Sequence, residues 1–197
     1  MKLLIASNNA NKVREIRQIL GGSFAEIVTL REAGLEIDVL EDGQSFAENA
    51  LKKAETVQKI SGFDAVLADD SGLCVDALNG APGVYSARYA GEGHDERLNN
   101  QKLMDDMRGI PENRRGCRFV SAAALARRGR PSLCAEGAVE GRLLFSARGG
   151  NGFGYDPYFY YEPLGKSFAE MTAEEKNAVS HRRRALENLK RLLDNEA

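Results

Sequence analysis

The chain has 197 residues, of which 43% are hydrophobic and 28% charged, and it contains no tryptophan. This length is sufficient for one domain with a hydrophobic core, and it leaves room for two lobes. The formal net charge is −2, which excludes the broad positive field of a typical nucleic-acid-binding protein. Any anionic ligand must therefore be held by a local cluster of cations.

The three cysteines, Cys74, Cys117 and Cys134, are odd in number and lack the spacing of a metal site. The sequence has no signal peptide and no apolar stretch of membrane length. These features predict a reduced cytoplasmic protein that does not contact a membrane. We expect Cys74 to be an inert core cysteine, because nearby carboxylates disfavour its thiolate.

The N-terminal segment has the pattern of a strand, a polar loop and a helix. Lys2–Ala6 is apolar, Ser7–Lys12 is rich in side chains that cap helices, and apolar residues then recur at helical spacing from Val13 until Gly21-Gly22. Backbone N–H groups and the positive end of the helix dipole would point at the loop, where Lys12 adds a full charge. The loop is therefore a candidate phosphate site, although many such units bind nothing.

A second helix is predicted from the capping-box residues Ser45 to Glu48 as far as Ser61-Gly62. An acidic segment, residues 36–42, precedes it, and a solvated loop explains most of its carboxylates. On the helix, Lys52 and Lys53 diverge by about 100°. One of these two lysines can face a ligand while the other faces water.

The segment Ala65–Gly72 carries the most unusual chemistry. An apolar run, typical of a buried strand, leads directly into Asp69, Asp70 and Ser71. We expect the strand to end at the two carboxylates, because these groups are costly to bury unpaired. Ligands of open α/β sheets bind at the carboxyl ends of strands, so the two carboxylates could lie at a ligand site. A shared divalent cation would make two adjacent carboxylates tolerable there. A solvated acidic turn is the alternative.

The middle of the chain alternates between further strands and one helix. The helix is expected over Asp95–Arg108, with Leu98, Met104 and Met107 facing the core. The remaining apolar segments are typical of a strand or bend (Leu73–Leu78), of two strands of a hairpin (Cys117–Ala126 and Leu133–Val139) and of a further strand (Gly141–Ala147).

Two later segments could contact a nucleotide. In the glycine-rich stretch Arg148–Pro157, Phe153 or Tyr155 could stack on a base and Asp156 could accept its N–H donors. A second capping box at Thr172–Glu175 begins a long helical pattern, in which Ser180 could start a separate helix. The densest positive charge of the chain lies there, at Lys176, His181 and Arg182 to Arg184, and a triphosphate needs such charge.

Oxygen-ligand metal chemistry fits these residues best. The sequence has no nucleophile elbow and only two histidines, which argues against acyl transfer and against zinc. Carboxylates suit magnesium, which bridges phosphates and keeps several waters. The acidic pair, the loops and the basic cluster could together hydrolyse a phosphoanhydride.

Several blocks of the sequence resemble the inosine triphosphatase, or dITP/XTP pyrophosphatase, family, and they occur in the family's order over nearly the whole chain. The blocks are Ser7-x-Asn9-x-x-Lys12-x-x-Glu15, Ser45-Phe46-x-Glu48-Asn49-Ala50, Asp69-Asp70-Ser71-Gly72-Leu73, the segment from Gly80 to Tyr89, Gly152-Phe153-Gly154-Tyr155-Asp156-Pro157 and Glu175-Lys176-x-x-x-Ser180-His181-Arg182.

The resemblance implies an elongated α/β protein around a long central mixed sheet. It implies a single domain over residues 1–197, with two lobes, no linker and a ligand cleft between the lobes. It further implies a cytoplasmic homodimer that uses Mg²⁺ to hydrolyse ITP, dITP or XTP to the monophosphate and pyrophosphate.

Residue by residue, the resemblance makes Asp70 the catalytic carboxylate and a metal contact, with Glu41 assisting the metal and Asp69 in support. The implied phosphate-binding residues are Ser7, Asn8, Asn9, Ala10, Asn11, Lys12, Lys53 and Ser71, with Lys176 close to them. The implied base-binding residues are Phe153, Gly154, Tyr155, Asp156, His181 and Arg182. Donors at His181-Arg182 would favour the 6-oxo group of inosine and xanthine over the amine of adenine.

Two other functions remain open at this point. A nucleotide-binding or sensing protein without turnover would share most of these residues, but binding alone favours fewer acids beside phosphate. A nucleic-acid-binding module could use Arg182 to Arg184, although the net charge argues against nucleic acid as a partner.

Overall fold

The computed structural model describes residues 2–20 and 24–196, so the helix stop predicted at Gly21-Gly22 lies outside the described residues. In this part of the chain, seven strands form one sheet in the order β2-β1-β3-β4-β5-β6-β7. The strands are β1 (Lys2–Ile5), β2 (Glu26–Thr29), β3 (Ala65–Val75), β4 (Gly116–Arg127), β5 (Arg130–Leu143), β6 (Phe159–Tyr161) and β7 (Lys166–Ser167). The helices are α1 (Ala10–Leu20), α2 (Phe46–Ser61), α3 (Glu96–Asp106), α4 (Ala173–Val179) and α5 (His181–Asp194).

The sheet contains both parallel and antiparallel pairs, which confirms the mixed α/β fold. Strand β1 lies parallel to β2 and to β3, with Leu3 opposite Ala65 and Ile5 opposite Leu67. Strand β6 is antiparallel to β5 and to β7. The strand, loop and helix order predicted for the N-terminus is confirmed, since α1 follows β1 after a short loop.

The prediction that a strand ends at Asp69-Asp70 is wrong, because β3 continues to Val75. The carboxylates instead lie in the middle of a long strand. Its parallel neighbour β1 ends at Ile5, opposite Leu67, so both carboxylates come after the end of that neighbour. Polar side chains from other elements then satisfy Asp69 and Asp70 without ending the strand.

The chain forms two compact units. The first unit comprises the described residues up to Asp70, Ser121–Gly137, and the residues from His181 onward. Its core is made of buried side chains from β1, α1, β3, β4 and α5, and these are Leu3, Ile5, Ile16, Leu20, Ala65, Leu67, Ala123, Leu125, Ala185, Leu186 and Leu189. The inward-facing side of α5 is therefore fixed by packing within this unit.

The second unit comprises Ser71–Val120 and Ala138–Ser180. Three aromatic rings fill its core, where the ring centre of Phe159 lies 4.7 Å from that of Phe119 and 4.6 Å from that of Phe168. Tyr155 belongs to the same buried cluster. That the two units are lobes of a single domain stays a prediction.

Helix α3 differs from the expected pattern in one position. Leu98, expected to face the core, is 43% exposed, whereas Leu103 is fully buried. Met107 is buried as expected. The sequence pattern placed the apolar stripe too close to the N-terminus of the helix, where Asp95 is the N-cap.

Two further segment boundaries need correction or are decided by the structure. The separate strand predicted over Gly141–Ala147 is wrong, because β5 runs without interruption to Leu143 and ends there. The long C-terminal helical pattern divides at Ser180, which has an extended backbone and separates α4 from α5. The capping box at Thr172 is confirmed by its reciprocal hydrogen bonds with Glu175.

None of the helices in the described part of the chain is long and apolar enough to span a membrane.

Gly137 of β5 allows α5 to lie directly against the sheet. A Cβ atom at this position would lie 2.5 Å from the carbonyl oxygen of His181 and closer still to the amide nitrogen of Ala185. Both atoms belong to the backbone, so neither can move away without shifting the helix.

Substitution Gly137→Ala is therefore expected to lower the free energy of unfolding by about 2–4 kcal/mol through overpacking. Urea denaturation of the purified variant would measure this. Gly93→Ala is the matched control, because Gly93 has open space around its Cβ position, and it should change stability by less than about 0.5 kcal/mol. Equal stability of the two variants would contradict the close approach of α5 to β5.

Candidate active site

The loop between β1 and α1 is organised by its own side chains. The side-chain oxygen of Asn9 accepts hydrogen bonds from the backbone N–H groups of Asn11, at 3.0 Å, and Lys12, at 3.1 Å. The N–H of Asn9 in turn donates to the hydroxyl of Ser7. Asn9 thus caps α1, and two N–H groups that the sequence analysis offered to a phosphate already have a partner inside the loop.

The residues of this loop differ in exposure. Asn8, Asn9 and Ala10 are exposed, whereas Ser7, Asn11 and Lys12 are half-buried. Asn8 also borders an open pocket of the first unit, with a volume of about 610 Å³, which is lined by Asn8, Arg31, Gly34, Leu35, Glu36, Ile37 and Asp38. The loop therefore presents polar side chains and one lysine at the edge of the unit.

Asp69 lies at the centre of a buried ion network. Its side chain is inaccessible to solvent. The Nε of Arg182 donates to it at 3.0 Å, the ammonium of Lys12 lies 3.3 Å away, and the hydroxyl of Ser121 donates at 3.2 Å. Arg182 is equally buried, and its Nη1 also pairs with Glu15 of α1. A buried network of ion pairs thus connects strand β3 to helices α1 and α5.

Burial opposes ionisation of Asp69, but the positive charges around it act more strongly. Arg182 contributes most, followed by Lys12 and Lys53, and together they hold the pKa of Asp69 well below its ordinary value. Asp69 is therefore a fixed negative charge at neutral pH. Its role is to hold cations rather than to exchange protons.

Asp70 has a different environment. It is 5% exposed, and its Oδ2 accepts a hydrogen bond of 3.0 Å from the neutral amide of Asn49. Burial raises the pKa of Asp70, and the negative charge of Glu41 raises it further, against the opposing effect of Lys12 and Lys53. Two adjacent carboxylates thus have pKa values shifted in opposite directions, a pattern typical of functional sites.

Helix α2 contributes two side chains, Asn49 and Lys53, to this cluster. The oxygen of the Asn49 amide accepts a hydrogen bond of 2.7 Å from the N–H of Gly43, while its nitrogen holds Asp70. Lys53, one turn further along α2, pairs with Glu41 and donates to the backbone carbonyl of Asp69 at 3.2 Å. Lys53 therefore links Glu41 of the acidic segment to the carboxylate pair, and Asn49 links the adjoining Gly43 to Asp70.

The question left open between Lys52 and Lys53 is settled by these contacts. Lys53 faces the carboxylates, whereas Lys52 points outward and pairs with the exposed Asp42 at 2.5 Å. The two adjacent lysines diverge as helical geometry requires. Lys53, not Lys52, belongs to the candidate site.

Three residues of this cluster received no role from the sequence. Glu15 and Asn49 lie in the family motifs but were given no function, and Ser121 was not singled out. One signal could have identified Asn49, because it lies four residues before Lys53 and so occupies the same face of α2. No local pattern marks Ser121, which is a small polar residue within the mostly apolar stretch Phe119–Ala126 of β4.

The donor set around Asp70 is compatible with Mg²⁺. The carboxylate oxygens of Asp70 and Glu41 are hard ligands, and the mutual effect of their charges on the pKa of Asp70 is one that a cation would relieve. Among the described residues, no group of three or more His, Cys, Asp or Glu side chains is arranged to hold a metal ion. Two carboxylates, those of Asp70 and Glu41, are nevertheless enough for Mg²⁺, which commonly takes one or two carboxylates and completes its shell with water and substrate phosphate.

The glycine-rich stretch of the second unit holds another buried pair. Asp156 Oδ2 accepts hydrogen bonds from the ammonium of Lys176, at 2.6 Å, and from the N–H of Phe153, at 2.9 Å. The Lys176 ammonium also lies 4.6 Å from the ring centre of Phe153. A Cβ atom on Gly152 would collide with the Asp156 carboxylate, so glycine is needed there.

Tyr155 is placed differently from what the sequence analysis allowed. Its ring is buried in the core of the second unit, and its hydroxyl donates to the carbonyl oxygen of Ser86 at 2.8 Å. Of the two rings that the sequence offers for stacking on a base, Phe153 is half-buried and Tyr155 is buried. Ser71, in β3, is also half-buried, and His181 is buried at the first position of α5.

The cysteines fit the predicted inert role. Cys74 is half-buried and free of any disulfide, and burial raises the pKa of its thiol. Burial also raises the pKa of Cys134, to about 11. Arg118 opposes the rise at Cys74, but Asp76 and Glu140 add to it, and Glu136 adds to the rise at Cys134, so both thiolates are disfavoured.

Comparison with known proteins now assigns the chain to a family. The sequence profile of the Ham1 family matches residues 3–192. The chain belongs to the Ham1 family. It is 48% identical to a dITP/XTP pyrophosphatase of Clostridium perfringens, over 96% of this chain and 95% of that protein. It is also 48% identical to a dITP/XTP pyrophosphatase of Pseudomonas aeruginosa, over 98% and 96% of the two chains.

A solved structure shows the same fold. The Ham1 protein of Staphylococcus aureus superposes on this member of the Ham1 family with a TM-score of 0.86 at 37% identity, and the match covers both chains completely. The family suggested by the sequence motifs is thereby confirmed, and so is the α/β architecture.

The opposite pKa shifts predict opposite effects of two isosteric substitutions on stability. Asp69→Asn removes an anion from a buried ion network, which should lower the free energy of unfolding at pH 7 by about 3 kcal/mol. Asp70→Asn removes a charge whose burial is unfavourable, and the amide can still accept from Asn49, so the free energy of unfolding should rise. Urea denaturation at pH 7 in EDTA compares the two variants.

The pH dependence of stability provides the check. The pKa of Asp69 is lowered by folding, so its contribution is present above its ordinary pKa of 3.8 and is lost as the pH falls below that value. The pKa of Asp70 is raised, so its contribution is present below 3.8 and is lost as the pH rises through its folded-state value. The gain from Asp70→Asn should therefore disappear at acidic pH. A gain that persists unchanged at pH 3 would contradict this assignment.

Proposed function

We propose that this chain hydrolyses dITP, XTP and ITP to the nucleoside monophosphate and pyrophosphate, and so removes deaminated purines from the nucleotide pool. The observation that carries the proposal is the adjacent pair in β3, in which Asp69 accepts a hydrogen bond from the guanidinium of Arg182 and Asp70 accepts one from the amide of Asn49. The relatives described above, which are 48% identical, are dITP/XTP pyrophosphatases.

In this mechanism Asp70 is the carboxylate that orients the attacking water and accepts its proton. A buried carboxylate with a raised pKa is a better proton acceptor than an exposed one. The Asn49 amide fixes the orientation of Asp70 through one oxygen. Asp69 supports it by holding Lys12 and Arg182 in place.

Lys12 and Lys53 supply the positive charge for the triphosphate. Both ammonium groups are mostly buried beside carboxylates, and a phosphate could take the place of one carboxylate partner. The exposed polar loop residues Asn8, Asn9 and Ala10 and the half-buried Ser7, Asn11 and Ser71 would complete the phosphate contacts.

Mg²⁺ is the proposed cofactor, held by Glu41 and Asp70. When bound, it would polarise a phosphoryl oxygen and neutralise developing negative charge. Glu41 and Lys53 form an ion pair. Glu41 would therefore act on the phosphates through the Mg²⁺ ion, and Lys53 would act on them directly.

For the base, we propose Phe153 as the stacking ring, with Gly154, Tyr155 and Asp156 shaping the loop. Lys176 pairs with Asp156 and would bring its charge to the loop rather than act as an independent phosphate ligand. The guanidinium of Arg182 is engaged with Asp69 and Glu15, so donation to a 6-oxo group falls to His181 and to the backbone N–H groups at the start of α5.

We further propose that the protein acts as a cytoplasmic homodimer and does not bind nucleic acid. Arg182 is buried and Arg183 pairs with Glu187, so the basic run at the start of α5 does not form a row of cations directed at a phosphate backbone.

The direct test is to incubate the protein with dITP, XTP or dGTP and Mg²⁺ and to measure pyrophosphate and monophosphate. Rapid pyrophosphate release from dITP and XTP is expected, with much slower turnover of dGTP. Asp70→Asn should lower kcat by about 10²–10⁴-fold, as loss of a general base does. Equal turnover of dGTP, or inorganic phosphate as the first product, would contradict the proposal.

The same variant separates an enzyme from a sensor. If the protein only bound nucleotides, the wild type would bind dITP without releasing pyrophosphate, and Asp70→Asn would bind at least as tightly. Isothermal titration calorimetry with dITP, beside the pyrophosphate assay, distinguishes the two functions.

A matched pair of variants tests the phosphate site. Lys53→Gln should lower kcat/KM for dITP by about 10–100-fold, because it removes a desolvated cation from the carboxylate cluster. Lys52→Gln, at the adjacent position that faces Asp42, should stay within about twofold of the wild type. Equal losses in the two variants would show that the sites of the two lysines were not distinguished correctly.

A further inference from the structure

Within the second unit, two side chains of helix α3 form hydrogen bonds with the backbone of Gly154 in the glycine-rich loop. The N–H of Gly154 donates to the Glu96 carboxylate at 3.0 Å, and the carbonyl oxygen of Gly154 accepts from the Asn100 side-chain amide at 2.9 Å. Glu96 and Asn100 are four residues apart and so lie on the same face of α3. One glycine residue is thus held at both of its backbone polar groups by one helix face.

The orientation of the Asn100 amide is fixed by its surroundings. Its nitrogen also donates to the carbonyl oxygen of Glu96 at 2.9 Å. Because both neighbours are carbonyl oxygens, only the nitrogen can face them. Asn100 is therefore a dedicated donor to the loop, and an aspartate of the same shape could not replace it.

These two contacts fix the peptide planes on either side of Gly154. The Glu96 contact holds the plane that joins Phe153 to Gly154, and the Asn100 contact holds the plane that joins Gly154 to Tyr155. Gly154 has a φ of +61° between them, which favours glycine. The backbone of Phe153 is consequently fixed from outside the loop.

The other anchors of the loop lie on either side of this point. The Asn151 N–H donates to the carbonyl of Ala169 at 3.0 Å, and the Tyr155 hydroxyl donates to Ser86. Asp156 holds the N–H of Phe153 from the interior. Inside the loop, the carbonyl oxygen of Phe153 accepts a hydrogen bond of 3.2 Å from the N–H of Asp156. The Phe153–Gly154 peptide plane is therefore held at its oxygen by the loop and at its nitrogen by Glu96 of α3.

We propose that Glu96 and Asn100 are positioning residues for the base-binding loop, and that they set the ring of Phe153 for stacking on the purine. The proposal rests on the proposed function, in which Phe153 contacts the base. Neither residue touches the reacting phosphates, so their removal should weaken nucleotide binding and leave the chemical step intact.

The kinetic test compares Glu96→Ala with Glu96→Gln. Glu96→Ala should raise KM for dITP about 5–20-fold with kcat within about twofold, as expected when uniform binding is lost. Glu96→Gln keeps an oxygen that can accept from Gly154 and should stay within about threefold of the wild-type KM. Asp105→Ala is the matched control, since Asp105 is an exposed carboxylate of the same helix that pairs with Arg108, and its KM should not change. An unchanged KM in Glu96→Ala, or a kcat that falls as much as kcat/KM, would overturn the proposal.

A double-mutant cycle tests whether Glu96 and Asn100 act together as one clamp, that is, as a pair of side chains that hold the backbone of Gly154. Asn100→Asp should raise KM in the same way as Glu96→Ala, because it removes both donors. Since both residues hold the same glycine, the double variant should show less than the product of the two single effects. Effects that multiply fully would mean that the residues act separately, and would overturn the clamp.

Amide hydrogen exchange of the loop separates failure of the clamp from failure of the proposed function. If the wild type releases no pyrophosphate from dITP, the proposed function is wrong, but the clamp can still be measured. Glu96→Ala should speed exchange at the Gly154 amide by about tenfold or more while leaving the core of β3 protected. Unchanged exchange at Gly154 would overturn the clamp whatever the enzyme turns over.

Discussion

The buried ion pair between Arg182 and Asp69 is the constraint on which the candidate site depends. Both side chains are removed from water, which is unfavourable unless the pair is well matched and further satisfied. Glu15, Lys12 and Ser121 provide that satisfaction. Removal of any one of these partners would leave a buried charge poorly compensated. The pair therefore ties α1, β3 and α5 of the first unit to one arrangement, which fixes the position of Asp70.

Asp70 depends on the contrast with its neighbour. The two carboxylates differ in the groups that bind them and in the direction in which their pKa values are shifted. Asp69 takes the strongest cation, and Asp70 receives the neutral amide of Asn49. Burial then raises the pKa of Asp70, so its ionised form is held at a free-energy disadvantage that a bound cation would relieve. Lower stability at this residue is the expected counterpart of function.

The sequence predicted the features that local signals encode. Capping residues marked the start of α2 at Ser45 and of α4 at Thr172, and both caps are present. The family motifs predicted the α/β fold, which is confirmed. Long-range partners were not predictable, because nothing near Asp69 reveals that an arginine 113 residues later will bind it. For the same reason the predicted end of β3 falls too early, at its polar residues, and the sequence does not show that the guanidinium of Arg182 binds Asp69 and Glu15.

The glycine-rich loop shows the same physical logic inside the second unit. Asp156 is held by a buried lysine, as Asp69 is held by a buried arginine. In each case a fixed ion pair defines the backbone next to a residue proposed to contact substrate. At the loop, however, a glycine adjoins Phe153, and glycine does not restrict its own conformation. The N–H of Asp156 holds the carbonyl oxygen of Phe153 from inside the loop, and the contacts of Glu96 and Asn100 with Gly154 hold the backbone that follows Phe153 from helix α3.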